Sequence, residues 1–282
     1  MQQTIKVHNK LLDLSIPRVM AIVNITPNSF YTSWGYMSEE NLLCRVAELV
    51  EQGADIIDLG ACSTQPGSTP VSEEEEWHRL APALQAIRKK WPEIVLSVDT
   101  FRAEIAEKAI INGADIINDV YGGENDNHIW NVVAKYRVPY ILTHAQEIDK
   151  NSHTEYDDTM SQVLDFFQSR LDILHKMGIA DVIVDPGFGF AKNEQQNYAI
   201  LRQMDILKQL NTPILAGISR KSMLYKPLGL KPELVLPATI TANTIALEKG
   251  AHILRVHDVA ETKQTIQIYS LAHKQIENVV RN

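Results

Sequence analysis

A short unit occurs three times in this chain, and it restricts the fold more than any other feature. A glycine–alanine pair is followed at once by mostly branched apolar residues at positions 53–58, 113–118 and 250–255. Glycine in the left-handed position after a helix ends that helix, and branched apolar residues favour a buried parallel strand. The repeat therefore predicts a helix, a short loop and a strand that recur along the chain.

Five further apolar runs have the length of strands, which brings the predicted strands to eight. These runs lie at positions 18–23, 94–98, 138–142, 181–184 and 213–216. Helical patterns separate the strands, and two of them begin after Ser38 and after Ser72, where Glu75 completes a capping-box pattern. Longer helices are predicted over 154–176, 193–210 and 258–276.

Alternating strands and helices with no linker between them predict a parallel sheet. Eight such units in 282 residues favour a (β/α)8 TIM barrel, in the α/β class, over a doubly wound sheet. We therefore predict a single domain that spans residues 1–282. Residues 4–15, within an N-terminal segment at 1–16, are predicted to form a small hairpin across the bottom of the barrel.

The charge balance and the cysteines restrict the partners and the location. The net charge of −8, from 27 Lys+Arg against 35 Asp+Glu, argues against nucleic acid and against an anionic membrane surface. No apolar run approaches the length of a membrane span, and the first ten residues lack the apolar core of a signal peptide. Cys44 and Cys62 have no metal-site spacing, so we read both as reduced thiols in a cytoplasmic protein.

Polar side chains follow each predicted strand. In a (β/α)8 barrel the carboxyl ends of all strands meet at one rim, where active sites lie. A single Asp or Asn there is usually a turn former or a helix cap, and we read Asp119 and Asp258 as caps. The concentration of polar residues over eight strands favours one ligand site instead. Its candidates are Asn24, Thr64, Asp99, Asn118, Thr143, His144, Asp185, Ser219, Lys221, Ser222, Arg255 and His257.

Three of these candidates are potential cations. Arg255 and His257 alternate with apolar residues, so a strand places both on one face, and Lys221 is predicted nearby. This group suits phosphate or pyrophosphate, although an ion pair with a rim carboxylate is the alternative for Arg255 or His257 alone. His144 fits a hydrogen-bonded structural histidine better than a metal ligand, because no second ligand has suitable spacing.

The remaining candidates suit an organic ligand. Asp99, Asn118 and Asp185 present acceptors and donors toward one predicted cavity. They match an edge of ring N–H, exocyclic amine and carbonyl groups, such as a pterin presents. The stretch from Ser219 to Ser222 is similar to the start of a helix, whose free backbone N–H groups can hold a carboxylate.

An ordered set of motifs gives the chain a family resemblance. It contains NITPNSF at 24–30, IDLGACSTQPG at 57–67, SVDT at 97–100, IND at 117–119, DPGFGF at 185–190, SRKSM at 219–223 and RVHD at 255–258. Over nearly its whole length the chain resembles the dihydropteroate synthase family. The resemblance implies a (β/α)8 barrel, usually as a homodimer, and a place in folate biosynthesis. It also implies condensation of 6-hydroxymethyl-7,8-dihydropterin pyrophosphate with p-aminobenzoate, with Mg²⁺ helping to hold the leaving pyrophosphate.

Site residues follow from the resemblance, motif by motif. Asn24 matches the metal-linked asparagine, and Asn24, Arg255 and His257 match the pyrophosphate contacts. Lys221, Arg255 and His257 are the residues that we expect to serve catalysis. The pterin pocket is matched by Asp99, Asn118, Asp185, Lys221 and Arg255, and the positions around p-aminobenzoate by Thr64, Phe190, Ser219, Lys221 and Ser222.

The implied mechanism is dissociative: pyrophosphate leaves, a pterin-stabilised cation forms, and the aniline nitrogen attacks. Such a reaction needs anion stabilisation and exclusion of water more than a strong base. The chain departs from the family in its first two loops, with Asn28 in place of Asp, Gln65 in place of Arg and an unusual stretch at 31–35. Ala145 stands where methionine is common. We expect a functional synthase with altered loops and altered sensitivity to sulfonamides.

Two other classes of function stay open from the sequence. A non-catalytic or weakly active pterin-binding paralogue is compatible with Asn28 and Gln65. A pterin-binding methyltransfer domain has the same barrel, but it needs neither the SRKS motif nor the pair Arg255 and His257. A generic phosphate-binding barrel explains neither Asn118 nor Asp185.

Overall fold

The structure is a computed structural model that describes residues 3–7, 10–25, 38–62, 71–145 and 157–273. The predictions for Asn28, Thr64, Gln65 and the stretch at 31–35 fall outside these residues. The chain begins with an antiparallel hairpin of β1 (Thr4–Val7) and β2 (Lys10–Asp13), in which Thr4 pairs with Asp13. The predicted N-terminal hairpin is therefore confirmed.

Eight parallel strands follow. The first six pair in chain order, and the seventh pairs with the eighth. The eighth strand pairs with the first, and one bridge between Val184 and Ile214 connects the sixth strand to the residue before the seventh, so the barrel is nearly closed. This confirms the predicted (β/α)8 fold. The strands are β3 (Arg18–Asn24), β4 (Ile56–Gly60), β5 (Val95–Asp99), β6 (Ile116–Asp119), β7 (Tyr140–Thr143), β8 (Val182–Asp185), β9 (Leu215–Ala216) and β10 (Ile253–Val256).

Two helices begin after Ser38 and Ser72, as the sequence predicted, and a third begins after Asn193, within the range predicted for it. Ser38 accepts a hydrogen bond from Asn41 N, Ser72 accepts one from Glu75 N, and Asn193 forms a full capping box with Gln196. None of the helices in the described part of the chain is long and apolar enough to cross a membrane. The helices are α1 (Glu39–Glu51), α2 (Glu73–Lys90), α3 (Ala103–Ile111), α4 (His128–Tyr136), α5 (Asp157–Lys176), α6 (Glu194–Gln203), α7 (Ser222–Tyr225), α8 (Leu236–Glu248) and α9 (Val259–Ala272).

Two predicted helices differ in detail. The helix expected over 193–210 is α6 followed by a 3-10 segment, Met204–Leu210, which ends at Asn211 in the left-handed conformation. Tighter i→i+3 hydrogen bonding is common in the last turns of a helix. α9 begins after Asp258, as predicted, but the Asp258 carboxylate does not cap it, because it pairs with Arg220.

The glycines of the threefold repeat have the backbone conformation that the repeat predicts. Gly53, Gly113 and Gly250 have φ values of 94°, 101° and 99°, which are strained for any residue with a side chain. Each ends a helix and leads into a buried strand. The glycine–alanine pair therefore forms the short connection between an outer helix and the next strand of the barrel.

The inside of the barrel has an apolar bottom and a polar top. Ile5, Val7 and Leu14 from the N-terminal segment pack against inward-facing residues at the start of the strands. Side chains alternate along a strand, so the next inward-facing position lies two residues later. The bottom residues are Met20, Ile56, Val95, Ile116, Ile141, Ile183, Leu215 and Ile253. The positions two residues later are Ile22, Asp58, Ser97, Asn118, Thr143, Asp185, Gly217 and Arg255.

Candidate active site

Arg255 is at the centre of the polar layer, where it bridges two carboxylates. Its Nε donates to Asp58 Oδ2 at 2.7 Å, and its Nη2 donates to Asp99 Oδ2 at 2.8 Å. β10 supplies the arginine, whereas β4 and β5 supply the carboxylates. The sequence analysis predicted that Arg255 binds a phosphate group, and it gave an ion pair with a rim carboxylate as the alternative. In this structure Arg255 forms the ion pair.

The charges of this cluster depend on burial. Burial raises the pKa of Asp99 to about 7; Arg255 opposes the rise and Asp58 adds to it. Burial disfavours the charge on Arg255, but Asp58 and Asp99 outweigh it, so the pKa of Arg255 lies above its ordinary value. Arg255 is therefore charged at every physiological pH, while Asp99 exchanges a proton near neutrality.

Asp58 is a site residue that the sequence analysis missed. It is fully buried in β4, and its Oδ2 also accepts a hydrogen bond from Asn118 Nδ2 at 3.1 Å. We read Asp58 only as part of a strand motif, because it lies within an apolar run. A signal was present nevertheless, because Asp58 lies two residues after Ile56, as Asn118 lies two residues after Ile116.

Asp185 lies in the same polar layer, at the end of β8. Its Oδ1 accepts a hydrogen bond from Gly187 N at 2.8 Å. A Cβ atom at Gly217 would lie 3.6 Å from Asp185 Oδ2 and 3.9 Å from Arg255 Cβ, so Gly217 leaves space between these side chains. Burial raises the pKa of Asp185, while Lys221 and the Gly187 N–H group oppose that rise.

Lys221 links this carboxylate to the DPGFGF loop. Its ammonium group donates to Phe188 O and lies 4.3 Å from the centre of the Phe190 ring. Burial lowers the pKa of Lys221 to about 8, with Asp185 acting in the opposite direction. Lys221 and Phe190, both predicted site residues, are therefore in contact.

A second buried lysine was not predicted. Lys192 Nζ donates to three backbone carbonyl groups: His144 O at 2.7 Å, and Gly187 O and Phe190 O at 3.1 Å each. Burial lowers the pKa of Lys192 to about 7, and Asp185 opposes the change. Because its acceptors come from two different loops, Lys192 fixes the loop that carries Phe190 against the end of β7.

His257 does not supply the second cation that the sequence analysis expected. Burial lowers its pKa to about 4, and Arg220 and Arg255 add to the effect, so the ring is neutral near pH 7. Its Nδ1 lies 3.0 Å from Ser219 Oγ. Arg220 turns away to Asp258, with Nε 3.1 Å from Oδ2. Ser219 and His257 are therefore a neutral hydrogen-bonding pair beside Arg255.

The end of β7 places His144 in an apolar environment. His144 is buried with its ring edge against Phe166, at 4.8 Å between ring centres, and burial lowers its pKa to about 3. Its Nδ1 has no hydrogen-bond partner among the described residues. Thr143 is buried beside Asp185 in the strand register, whereas Ala145 lies beyond the strand. Asp119, which the sequence analysis read as a helix cap, instead stabilises a turn, since it accepts hydrogen bonds from Tyr121 N and Gly123 N.

Asn24 and Ser222 lie at the rim of the site. Asn24 ends β3 with its side chain exposed, opposite Gly60 in the strand register. A Cβ atom at Gly60 would lie 3.5 Å from Asn24 Oδ1 and 3.8 Å from Asp99 Oδ2. Two oxygen atoms that can serve as metal ligands therefore lie near the same position. Ser222 is the first residue of α7, directly after Lys221.

The chain matches the family model of pterin binding enzymes over residues 20–257, which include every described site residue above. The dihydropteroate synthase of Haemophilus influenzae is 37% identical over 266 residues, and the match covers 93% of this chain and 96% of that relative.

The chain belongs to the dihydropteroate synthase family of pterin-binding enzymes.

Solved structures of dihydropteroate synthases share the fold. The enzyme of Xanthomonas albilineans, solved with 4-aminobenzoic acid, has a TM-score of 0.88 and 34% identity, covering 97% of this chain and 99% of that one. The complex of a synthase from the same organism with 7,8-dihydropteroate has a TM-score of 0.85 and 33% identity, covering 96% and 98%. The dihydropteroate synthase resemblance seen in the sequence is thus confirmed over nearly the whole chain.

Proposed function

We propose that this protein condenses 6-hydroxymethyl-7,8-dihydropterin pyrophosphate with p-aminobenzoate to form 7,8-dihydropteroate and pyrophosphate. One observation carries the proposal: Asp99, Asn118, Asp185, Lys221 and Arg255 converge at the carboxyl ends of five different strands or their following loops. Membership of the dihydropteroate synthase family supports the reaction type, a transfer of an alkyl group to an aryl amine.

The pterin is assigned to the deep layer of the site. Asp185 Oδ2 and Asn118 offer acceptors to the ring N–H groups and the exocyclic amine. Lys221 offers a donor to the ring carbonyl, and the Arg255 guanidinium lies along the opposite wall beside Asp99. The same residues exclude water, because all five side chains of this layer are largely buried.

The p-aminobenzoate is assigned to the space around Phe190, Ser219 and Ser222, with Lys221 between it and the pterin. The family also places Thr64 there. Phe190 offers an apolar face to the aniline ring, and its position is fixed by Lys192 below the loop.

The pyrophosphate is assigned to the rim, beside Asn24, Arg255 and His257. The bond between the pterin methylene carbon and the phosphate oxygen breaks, and both electrons leave with the oxygen. Arg255 stabilises the developing negative charge, and the neutral His257 ring supplies a hydrogen bond. The aniline nitrogen then forms the new bond to carbon and loses one proton, so no activated nucleophile of the protein is required.

The residues at the rim fit a magnesium ion. Mg²⁺ prefers hard oxygen ligands and often takes only one or two from the protein, with phosphate oxygens and water completing its shell. Asn24 Oδ1 has the required chemistry and faces the open space next to Gly60. Within the described ranges no group of three or more His, Cys, Asp or Glu side chains is arranged to hold a metal alone. When bound, the ion would neutralise charge on the leaving pyrophosphate, with Asn24 as its protein ligand.

We also propose a homodimer and a cytoplasmic location. The dimer is supported by large exposed apolar side chains, because six of the ten among the described residues lie on α8, on α9 or in the segment before α8. These six are Leu228, Leu230, Leu234, Ile245, Ile268 and Leu271. Cys44 and Cys62 are both described by the structure and neither forms a disulfide bond, which suits a reducing compartment.

Steady-state formation of dihydropteroate by the purified protein tests the proposed function. The reaction is run with dihydropterin pyrophosphate, p-aminobenzoate and Mg²⁺, and each is omitted in turn. The proposal predicts product only when both organic substrates are present, and a lower rate in EDTA. Tight pterin binding without product would contradict it and would select the non-catalytic pterin-binding alternative.

A further inference from the structure

The deep layer contains one carboxylate oxygen that is shared by two donors from different strands. Asp58 Oδ2 accepts from Arg255 Nε at 2.7 Å and from Asn118 Nδ2 at 3.1 Å. The Asp58 side chain is completely buried, and its Oδ1 has no hydrogen-bond partner. Within the described residues, both hydrogen bonds of the Asp58 side chain are therefore made with ligand-facing side chains, Arg255 and Asn118.

The contact with Asp58 determines which end of the Asn118 amide faces the ligand. A carboxylate oxygen accepts hydrogen bonds, so only the NH2 end of the amide can lie against it. The reverse orientation would place two oxygen atoms against each other in a buried site. Oδ1 of Asn118 therefore points away from Asp58, and no donor from the described residues is bonded to it.

Asp185 presents a second acceptor from β8, which lies two strands from β6 in the barrel. Its Oδ1 is taken by Gly187 N, while its Oδ2 lies on the side of Gly217, where the missing side chain leaves space. With Asn118 Oδ1 and Asp185 Oδ2 both available, the pocket presents acceptors to the deep edge of a bound ring. Such a pocket favours a ring edge that carries N–H donors.

We propose that Asp58 is a positioning residue that sets the ring selectivity of this site. By holding the Asn118 amide in one orientation, it makes the pocket prefer a bicyclic ring with an exocyclic amine over the same ring with an exocyclic oxygen. The inference rests on the proposed function for the pterin-like nature of the ligand. It goes beyond that function because it assigns the selectivity to a residue that touches no substrate atom.

The size of the effect follows from the hydrogen bond that changes. An exocyclic oxygen against Asn118 Oδ1 leaves two acceptors facing each other, and a site built to bond an N–H group rejects analogues that lack it. One such mismatch lowers affinity by about ten-fold or more. Without Asp58 the amide is free to turn over and donate to the oxygen, so most of this preference disappears.

The experiment compares two ring probes on the full-length protein. Dissociation constants are measured by calorimetry for 6-hydroxymethylpterin and for its 2-oxo counterpart, and the selectivity is the ratio of the two. Asp58→Ala removes the acceptor and is expected to reduce the ratio by about ten-fold. Asp58→Asn keeps one oxygen in the place of Oδ2 and is expected to keep the ratio within about three-fold, as a conservative rescue.

Asp115→Ala is the matched control. Asp115 is also buried and also pairs with an arginine at 2.7 Å, Arg88, but it lies at the start of β6, away from the site. The Asp115→Ala variant is expected to be less stable than wild type and to keep the wild-type ratio of the two dissociation constants. Asp58→Ser is measured alongside in case Asp58→Ala does not fold. The proposal is overturned if either folded variant, Asp58→Ala or Asp58→Ser, keeps the wild-type ratio, or if the wild-type ratio itself is near one.

The proposed function is tested separately by dihydropteroate formation in the same preparation. A wild-type protein with the amine preference but no product would contradict the synthase activity and leave the role of Asp58 intact. A wild-type protein with product whose ratio is unaffected by Asp58→Ala would contradict the role of Asp58 alone.

Discussion

Arg255 Nη2 lies 2.8 Å from Asp99 Oδ2, in a pair that is buried at the carboxyl ends of β10 and β5. Because Nε of the same guanidinium is bound to Asp58, the arginine is fixed at two points. A planar guanidinium forms both hydrogen bonds at once, whereas an ammonium group has no equivalent geometry. The identity of Arg255 as arginine, and not only its charge, is therefore required by the site.

Arg255→Lys is expected to damage both stability and catalysis. It leaves a buried carboxylate without its partner, so the free energy of unfolding should fall by about 3–5 kcal/mol in urea titrations. We expect kcat/KM for dihydropteroate formation to fall by roughly 100-fold, about 2.7 kcal/mol. Arg88→Lys, at the pair with Asp115, is the control: it should lose stability but keep kcat/KM. An Arg255→Lys enzyme with wild-type kcat/KM would refute this interpretation.

The raised pKa of Asp99 predicts a pH dependence of stability. The folded protein keeps a proton on Asp99 up to a pKa of about 7, whereas the unfolded chain releases it near the ordinary value of 3.8. Between these values the folded state binds more protons, so the free energy of unfolding falls as pH rises. We expect wild type to lose about 2–4 kcal/mol more than Asp99→Asn between pH 4 and pH 7.5. Equal losses in both proteins would show that Asp99 titrates normally.

Lys192 provides a test of the loop that carries Phe190. Lys192→Met keeps the length of the side chain but leaves three carbonyl groups without their donor. We expect a loss of about 2–4 kcal/mol in unfolding free energy and a rise in KM for p-aminobenzoate that exceeds the rise for the pterin. Lys249→Met, at an exposed ion pair with Asp205, is the control and should change neither. An equal rise in both KM values would argue against a specific effect on Phe190.

The altered loops give a prediction from the sequence alone. The family resemblance implies Asp and Arg at the positions of Asn28 and Gln65. If those two charges pair, a charge restored at one position alone lacks the partner that the other supplies. Asn28→Asp/Gln65→Arg is therefore expected to raise kcat by more than the product of the two single substitutions. A double-mutant cycle on kcat measures this coupling. Strictly additive effects would indicate that the two positions do not interact.

The fold and much of the site could be predicted from the sequence, because their signals are local. The glycine–alanine repeat, the apolar runs and the caps at Ser38 and Asn193 depend on neighbouring residues only. The charge state of His257 was not predictable in this way, because it depends on burial and on Arg220 and Arg255 nearby in space. Lys192 was missed for the same reason, because its carbonyl acceptors lie on two loops that are far apart in the sequence, after β7 and after β8.

The partners of Arg255 show most directly what could not be predicted from the sequence. Choosing between a phosphate and a carboxylate required the strand order, which brings β10 next to β3 and within reach of β4 and β5. Asp99, Asn118 and Arg255 of this cluster were predicted from the sequence, whereas Asp58 was missed although the sequence contains a signal for it. Its spacing from Ile56 repeats the spacing of Asn118 from Ile116 and of Asp185 from Ile183, so a search for polar residues two places after each bottom-layer residue would have found it.

The central claim is tested most directly by the stoichiometry of the reaction. Purified protein is mixed with 6-hydroxymethyl-7,8-dihydropterin pyrophosphate, p-aminobenzoate and Mg²⁺, and dihydropteroate and free pyrophosphate are quantified in the same samples over time. The claim predicts catalytic turnover with one pyrophosphate released for each dihydropteroate formed. Release of pyrophosphate without dihydropteroate, or pterin binding with neither product, would contradict it.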